Sequence, residues 1–300
     1  MKRRGFLAGA SALGLAPLYS HAASQLHVAG TRIDTLSDGH LTLPKSFIVG
    51  DLPAAQVDAV LAAHGIEGDA FEPPCNVTML RSDNRVILFD VGSGPDFMPS
   101  AGALLDALDA QDVASEDVTH VIFTHAHPDH LWGVLDDFDD PLFPAARHLI
   151  GRKERDYWLD PNTVDTIGEA RATFAVGAAR RLEAIADQLH VFEDGQEIVP
   201  GIMAHASFGH TPGHMAFEIA TENGPAMVLG DAVVNHHLAL AHPEWPSGSD
   251  QDPEAGIAAR MRLLDQVTAD QIPVIGFHLP NGGLGRIETH GGAYRFIDTI

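Results

Sequence analysis

Residues Val121-Ile122-Phe123-Thr124-His125-Ala126-His127-Pro128-Asp129-His130-Leu131 set an apolar strand directly before three imidazoles and a carboxylate. Four groups able to ligate a metal fall within six residues, and any fold for this chain must deliver that strand end to a cleft. His125 and His127 are two positions apart, so in extended backbone their side chains leave on the same face. Pro128 disfavours a helical conformation at His127. Asp129 is then expected to cap a helix that begins near His130 and continues through Leu131, Trp132 and Val134. Two imidazoles would come from the strand end, and Asp129 with His130 from the turn after it. That differs from the helical H-E-x-x-H zinc pattern, whose two histidines lie four apart on one helix face. An isolated histidine is most often surface or hydrogen-bonded core, but that reading does not account for this density of ligand types.

Composition removes several function classes. Lys and Arg number 18 against 41 Asp and Glu, a formal charge of −23. Such a surface repels polyphosphate and anionic lipid, so neither nucleic acid nor a membrane surface is an expected partner. Apolar residues make up 45% of the 300 positions, enough to bury a large core. Cys75 is the only cysteine, which rules out an internal disulfide framework and a Cys-rich metal site.

The first residues read as an address. Lys2-Arg3-Arg4-Gly5-Phe6-Leu7 precedes an apolar run, Ala8 to Leu18, too short for the roughly 20 residues that span a bilayer. A basic start, a short apolar stretch and small residues at Ser20 and Ala22 describe a secretory signal cut after Ala22. The arginine pair looks like a twin-arginine signal. Residues 1–22 are thus expected to engage the twin-arginine export machinery, leaving residues 23–300 as one domain in the periplasm or outside the cell.

Strand-like runs recur along the rest at Val77–Leu80, Val86–Asp90, Val118–Thr124, His148–Ile150, Ile202–Ala206, Ala216–Ile219, Ala226–Gly230 and Ile272–Phe277. Helical stretches at Pro53–His64, Ala101–Ala110, Arg171–Leu189 and Pro253–Val267 alternate with them. With no repeat and no low-complexity linker, this predicts one layered α/β domain. Three more of the runs end in metal-ligand types. Gly209-His210-Thr211-Pro212-Gly213-His214 follows Ile202–Ala206, Asp231 ends Ala226–Gly230, and His278 ends Ile272–Phe277. Strand ends gathered at one sheet edge would converge these groups on one cleft.

The ordered set of Phe89-Asp90-Val91-Gly92, H-x-H-x-D-H, G-H-T-P-G-H, Asp231 and His278 resembles the metallo-β-lactamase-fold hydrolases. The likeness covers nearly all of residues 23–300 and is closest to the methyl parathion hydrolase group of organophosphate hydrolases and lactonases. It implies an αββα sandwich with a metal site at one edge. It implies one cation on His125, His127 and His210, a second on Asp129, His130 and His278, and Asp231 bridging them. Asp90 and His214 are expected to stand behind the ligands, orienting them. The donor set is imidazole and carboxylate, which suits two divalent ions, Zn²⁺ first, with Mn²⁺, Fe²⁺ or Co²⁺ also accommodated.

Paired cations sharing a carboxylate bring a trapped water's pKa towards neutrality, so the expected nucleophile is a metal-bridging hydroxide. Asp129 and Asp231 are the candidate catalytic carboxylates, Asp129 by orienting that hydroxide and taking up its proton. Small ester-like substrates are implied: a phosphotriester, an aryl ester or a lactone. Trp158, Tyr157, Phe71 and Phe143 are candidate pocket walls, with plain core packing the alternative for each. Residues 51–71 could lid the cleft or simply pack on the sandwich. The family likeness also implies a homodimer. Val234 stands where the best-known acyl-homoserine lactonases carry a tyrosine three residues after the bridging Asp. Rival readings are a mononuclear-iron persulfide-dioxygenase-like oxidoreductase, a β-lactam or thioester hydrolase of the same fold, and a non-enzymatic metal binder.

Overall fold

Apolar runs in this chain become the strands of two sheets, and the computed structural model describes residues 25–28, 31–82 and 84–298. The expected signal segment, residues 1–22, lies outside the described residues. The chain enters through β1 (Gln25–Val28) and β2 (Thr31–His40). An insertion follows, made of β3 (Leu43–Pro44), α1 (Lys45–Val49), α2 (Ala54–Ala63) and β4 (Ala70–Phe71), which pairs back on β3. Next come β5 (Pro74–Ser82), β6 (Arg85–Phe89), α3 (Leu104–Asp109), β7 (His120–Ile122), α4 (Pro128–Leu131) and β8 (Arg147–Gly151). Helices α5 (Arg152–Leu159), α6 (Thr163–Thr166) and α7 (Ala172–Ala184) lead to β9 (Leu189–Phe192). The second half runs β10 (Glu197–Val199), β11 (Ile202–Ala206), β12 (Met215–Thr221), β13 (Gly224–Gly230), α8 (His236–Ala241) and α9 (Pro253–Ala269). It closes with β14 (Val274–Gly276), β15 (Leu284–His290) and β16 (Ala293–Ile297).

The first sheet has the order β1-β2-β5-β6-β7-β8-β9 and the second β10-β11-β12-β13-β14-β15-β16. One core lies between them, where Ile87, Phe89, Ile122 and Phe192 of the first sheet meet Ile202, Phe217, Val228 and Ile275 of the second. The outer face of the first sheet packs under Leu104, Leu108, Ala178 and Leu182 of α3 and α7. The outer face of the second packs under Leu263, Leu264 and Val267 of α9. This is the expected αββα sandwich. Strand β13 shows why its sequence is apolar throughout: Ala226 and Val228 face the other sheet while Met227 and Leu229 face α9, so both faces are buried.

Strand direction puts the ligand-bearing loops together. β6, β7 and β8 are parallel, as are β13 and β14, and β11 reaches the same direction through two antiparallel steps. Residues after the carboxyl ends of these strands therefore share one edge within each sheet.

The insertion is a packed helix pair. Ile48, Val57, Leu61 and Phe71 form a small core with Val234 and Leu238, the latter on α8. β2 and the β15–β16 hairpin were not expected from the sequence, because polar residues interrupt their apolar positions. Among the described residues no helix is long and apolar enough to cross a membrane.

Candidate metal centre

The backbone leaves β7 extended and turns into α4 with His127 in the N-cap position (φ −66°, ψ 160°) and Pro128 in the first turn. The helix thus starts two residues before the expected His130, and Asp129 does not cap it. The reason is that the Asp129 carboxylate turns to the cleft, with Oδ2 3.3 Å from His278 Nε2 and 3.4 Å from His130 Nε2.

His125 Nε2 and His210 Nε2 lie 3.0 and 2.9 Å from His127 Nδ1, three ring nitrogens facing one point. Asp231 sits between this trio and the other side chains. Its Oδ2 is 3.3 Å from His210 Nε2, 3.3 Å from His278 Nε2 and 4.0 Å from His125 Nε2, and its Oδ1 is 3.2 Å from His130 Nε2. All seven expected ligands are brought together and are buried. Asp129 Oδ2, His130 Nε2 and Asp231 Oδ1 are buried with no hydrogen-bond partner, a cost that native interiors rarely leave uncompensated. Orphaned donors and acceptors facing one another, all of ligand type, fit a pair of divalent cations.

Behind these atoms each ring except His127 is held by its other nitrogen. His130 Nδ1 donates to Asp90 Oδ2 at 2.8 Å, and Thr124 donates to the same carboxylate from its amide and hydroxyl, both at 2.8 Å. The Thr124 hydroxyl in turn lies 3.0 Å from His125 Nδ1, so one carboxylate orients two imidazoles. Asp90 occupies the left-handed region (φ 64°), which Asp tolerates better than most residues. His278 Nδ1 donates to the Pro74 carbonyl at 2.8 Å. His214 Nε2 accepts the Asp231 amide at 2.9 Å while its Nδ1 meets the Ser207 hydroxyl at 2.7 Å. It therefore positions Asp231 and adds no donor to the centre. The ring of His127 is instead bracketed by the edges of Trp158 and Phe174, at 5.8 and 5.9 Å between centroids.

Three residues of this arrangement carried no sequence signal of their own. Asp250 Oδ1 is 3.2 Å from His210 Nδ1, and its other oxygen is 3.7 Å from the buried Arg260. Fully buried Glu154 accepts from Ala126 N and Trp158 Nε1 on one oxygen, and from Thr211 Oγ1 and Gly213 N on the other. It ties the H-x-H turn of one sheet to the G-H-T-P-G-H turn of the other. Both glycines of that turn are required sterically: a Cβ on Gly209 (φ 133°) would meet Gly256 N at 2.1 Å, and one on Gly213 would meet Glu154 N at 2.1 Å. The third residue, Cys75, is far from the motif in sequence yet lies against Asp129 and His278.

The aromatic expectations divide. Trp158 (1% exposed) and Phe143 (0% exposed) are core, not open pocket walls, because the indole is spent on Glu154 and the phenyl on the packing beneath α7. Tyr157 is half-buried and donates to Gln251. Phe71 does line a cavity of about 530 Å³, with Glu67, Asn235, His236, His237 and Pro280. Pro74 also lines that cavity and holds the ring of His278 through its carbonyl.

Charge balance follows from this packing. Burial, then the neighbouring imidazoles, push His125 and His127 well below the usual imidazole value. Burial alone would raise Asp129 and Asp231, but His130 and His278 facing them hold both below the carboxylate range. Against burial, Asp231 and Asp129 push His278 up to about 10. Neutral His125 and His127 and the ionised carboxylates are donors a divalent ion of borderline hardness takes. The same carboxylates hold His130 and His278 protonated, and a cation binding there would displace those protons.

Residues 70–275 match the family model of the metallo-beta-lactamase superfamily. The uncharacterized protein YobT of Bacillus subtilis is 26% identical over 200 residues, 64% of this chain and 79% of YobT. Metallo-beta-lactamase domain-containing protein 1 of Xenopus laevis is 32% identical over 136 residues, 45% of this chain and about half (52%) of that protein. Among solved structures, AidC, a dizinc quorum-quenching lactonase in complex with a product, superposes with a TM-score of 0.87 at 22% identity, covering 93% of this chain and 98% of AidC. AbOPH, a hydrolase of the beta-lactamase superfamily, gives 0.86 at 24% identity, with the same two coverages. Family model, sandwich topology and the histidine-carboxylate edge agree, and the chain belongs to the metallo-beta-lactamase superfamily.

Proposed function

We propose that this protein is a metal-dependent hydrolase that holds two divalent cations, zinc suiting the donors best, and cleaves small ester-like bonds. The observation that carries this reading is the convergence of seven buried ligand atoms from both sheets, three of them orphaned and facing one centre. His125, His127 and His210 would hold one cation, Asp129, His130 and His278 the other, with Asp231 reaching both. Bound there, the pair supplies a water activated near neutral pH and neutralises charge developing on the substrate oxygen.

The chain's own groups do the rest. With one oxygen of Asp129 given to a cation, its other oxygen would orient the attacking water and accept its proton. Asp90 and Asp250 fix the tautomers of His130 and His210, so that each presents Nε2 to the centre. The open cavity lined by Phe71 and Pro280 would receive the acyl or leaving group. Val234 is 7% exposed and packed against the insertion, so no phenol meets the substrate oxygen at that position. Lactones, aryl esters and phosphotriesters are the uncharged ester-like substrates this reading covers. The dizinc lactonase that shares this fold supports an ester-hydrolysing reading; the methyl parathion hydrolase-like grouping rests on the sequence resemblance alone.

The test is kcat/KM on a lactone, an aryl ester, a phosphotriester and a β-lactam, before and after chelation and after reloading with zinc. Turnover of any of the first three that chelator abolishes and zinc restores is expected, with the β-lactam inert. Activity that survives full metal removal, or an Asp231→Ala variant with two metals and unchanged turnover, would sink the reading.

A further inference from the structure

Cys75 stands on β5 between two residues that clamp the His278 loop. On one side the Pro74 carbonyl accepts from His278 Nδ1 at 2.8 Å. On the other, Asn76 donates its backbone amide to the Phe277 carbonyl at 2.9 Å and its side-chain amide to the Phe277 and Leu279 carbonyls at 2.8 Å each. Strand register therefore fixes Cys75 against His278. The Cys75 sulfur, an Asp129 carboxylate oxygen and a His278 ring nitrogen all lie within 4.8 Å of one another, and all three residues are buried. Donors at about 2.0–2.3 Å on one tetrahedral cation lie about 3.3–3.8 Å apart, so side-chain rotation of about 1 Å would close this triplet on an ion. Asp129 Oδ2, on a side chain only 5% exposed, has no hydrogen-bond partner.

We propose that the Cys75 sulfur is a further ligand of the second cation, sharing it with Asp129 and His278, an inference that rests on the two-metal reading above. Binding replaces the S–H bond with a metal–sulfur bond and releases the proton to buffer. A thiolate in an otherwise nitrogen and oxygen donor set favours zinc or cobalt over manganese or magnesium at that position. It also widens the chemical difference between the two positions, since the first is built from three imidazoles.

Because the chain has a single cysteine, cobalt(II) loading tests this without ambiguity. Protein carrying two cobalt ions should show a near-ultraviolet sulfur-to-cobalt charge-transfer band, and zinc-edge absorption should show sulfur at about 2.3 Å. The band should vanish in Cys75→Ser and Cys75→Ala with cobalt content kept. Two bound cobalt ions without the band overturn the proposal and leave the metal centre standing. No bound cobalt overturns both. Should either variant fail to fold, the unsubstituted protein's spectrum decides, as no other cysteine can give the band.

Discussion

His148 and the histidines of the metal centre are all buried, yet their surroundings are opposite. At the centre His125, His130, His210 and His278 each have one ring nitrogen held by a hydroxyl, carboxylate or carbonyl, which leaves the other aimed inward. His148, on β8 and fully buried, has neither nitrogen bonded and stacks on Phe123 at 6.1 Å. Burial alone makes an imidazole a costly core residue. A partner behind one nitrogen fixes the tautomer and aims the other nitrogen, as in four of the five rings at the centre. The fifth, His127, is held by the packing of Trp158 and Phe174.

Removing the shared support should cost most. Glu154→Ala strands four donors at the junction of the two ligand turns, and a loss of about 3–5 kcal/mol in denaturant unfolding is expected. An unchanged unfolding midpoint would mean the two turns hold their geometry without it. Asp90→Ala removes the carboxylate behind His130 and, through Thr124, His125. Metal affinity by competition with a chelator should fall about 100-fold, the upper end for such partners.

The partnerless histidine gives the contrasting, pH-dependent effect. Burial, with His190 adding to it, lowers His148 to about 4 from an ordinary 6.5. The unfolded chain therefore takes up this proton first, so the stability present above pH 6.5 is lost progressively as pH falls towards 4. His148→Leu should remove that slope. Between pH 7.5 and 5 the unsubstituted protein should lose about 2 kcal/mol more than the variant, read from urea midpoints at each pH. Equal losses would show that His148 is solvated or partnered in solution.

Asp250→Asn keeps the size of the group behind His210 and removes its charge. About a tenfold loss of metal affinity is expected. Arg260→Met should reproduce part of it, and the double variant should cost less than the sum because the two act in one chain.

The strands were legible where both faces are buried, as in β13, and the residues that cluster at the edge were legible because the chain places them soon after such strands. H-x-H-x-D-H announces itself through four donors in one turn. His210, Asp231 and His278 were legible only as strand ends. What sequence reading missed has a common cause: Glu154, Asp250 and Cys75 act on residues brought close by sheet register and loop packing, which leave no local pattern. The helix start at Pro128 was missed for a related reason, since the Asp129 carboxylate is used across the cleft and not by its own helix. Trp158 looked like a pocket wall because an aromatic after the motif carries no mark of which side it faces.

The division of donors between the two sheets has a consequence for how the molecule assembles. His125, His127, Asp129 and His130 belong to the first half of the chain, and His210, Asp231 and His278 to the second. Each position draws at least one imidazole from the second half, His210 for the first cation and His278 for the second, so a cation would reach full affinity only after the halves have docked. Ligand supply then acts on the last step of maturation, and starvation for metal would be felt first as a loosened seam between the layers, before any loss of the layers themselves.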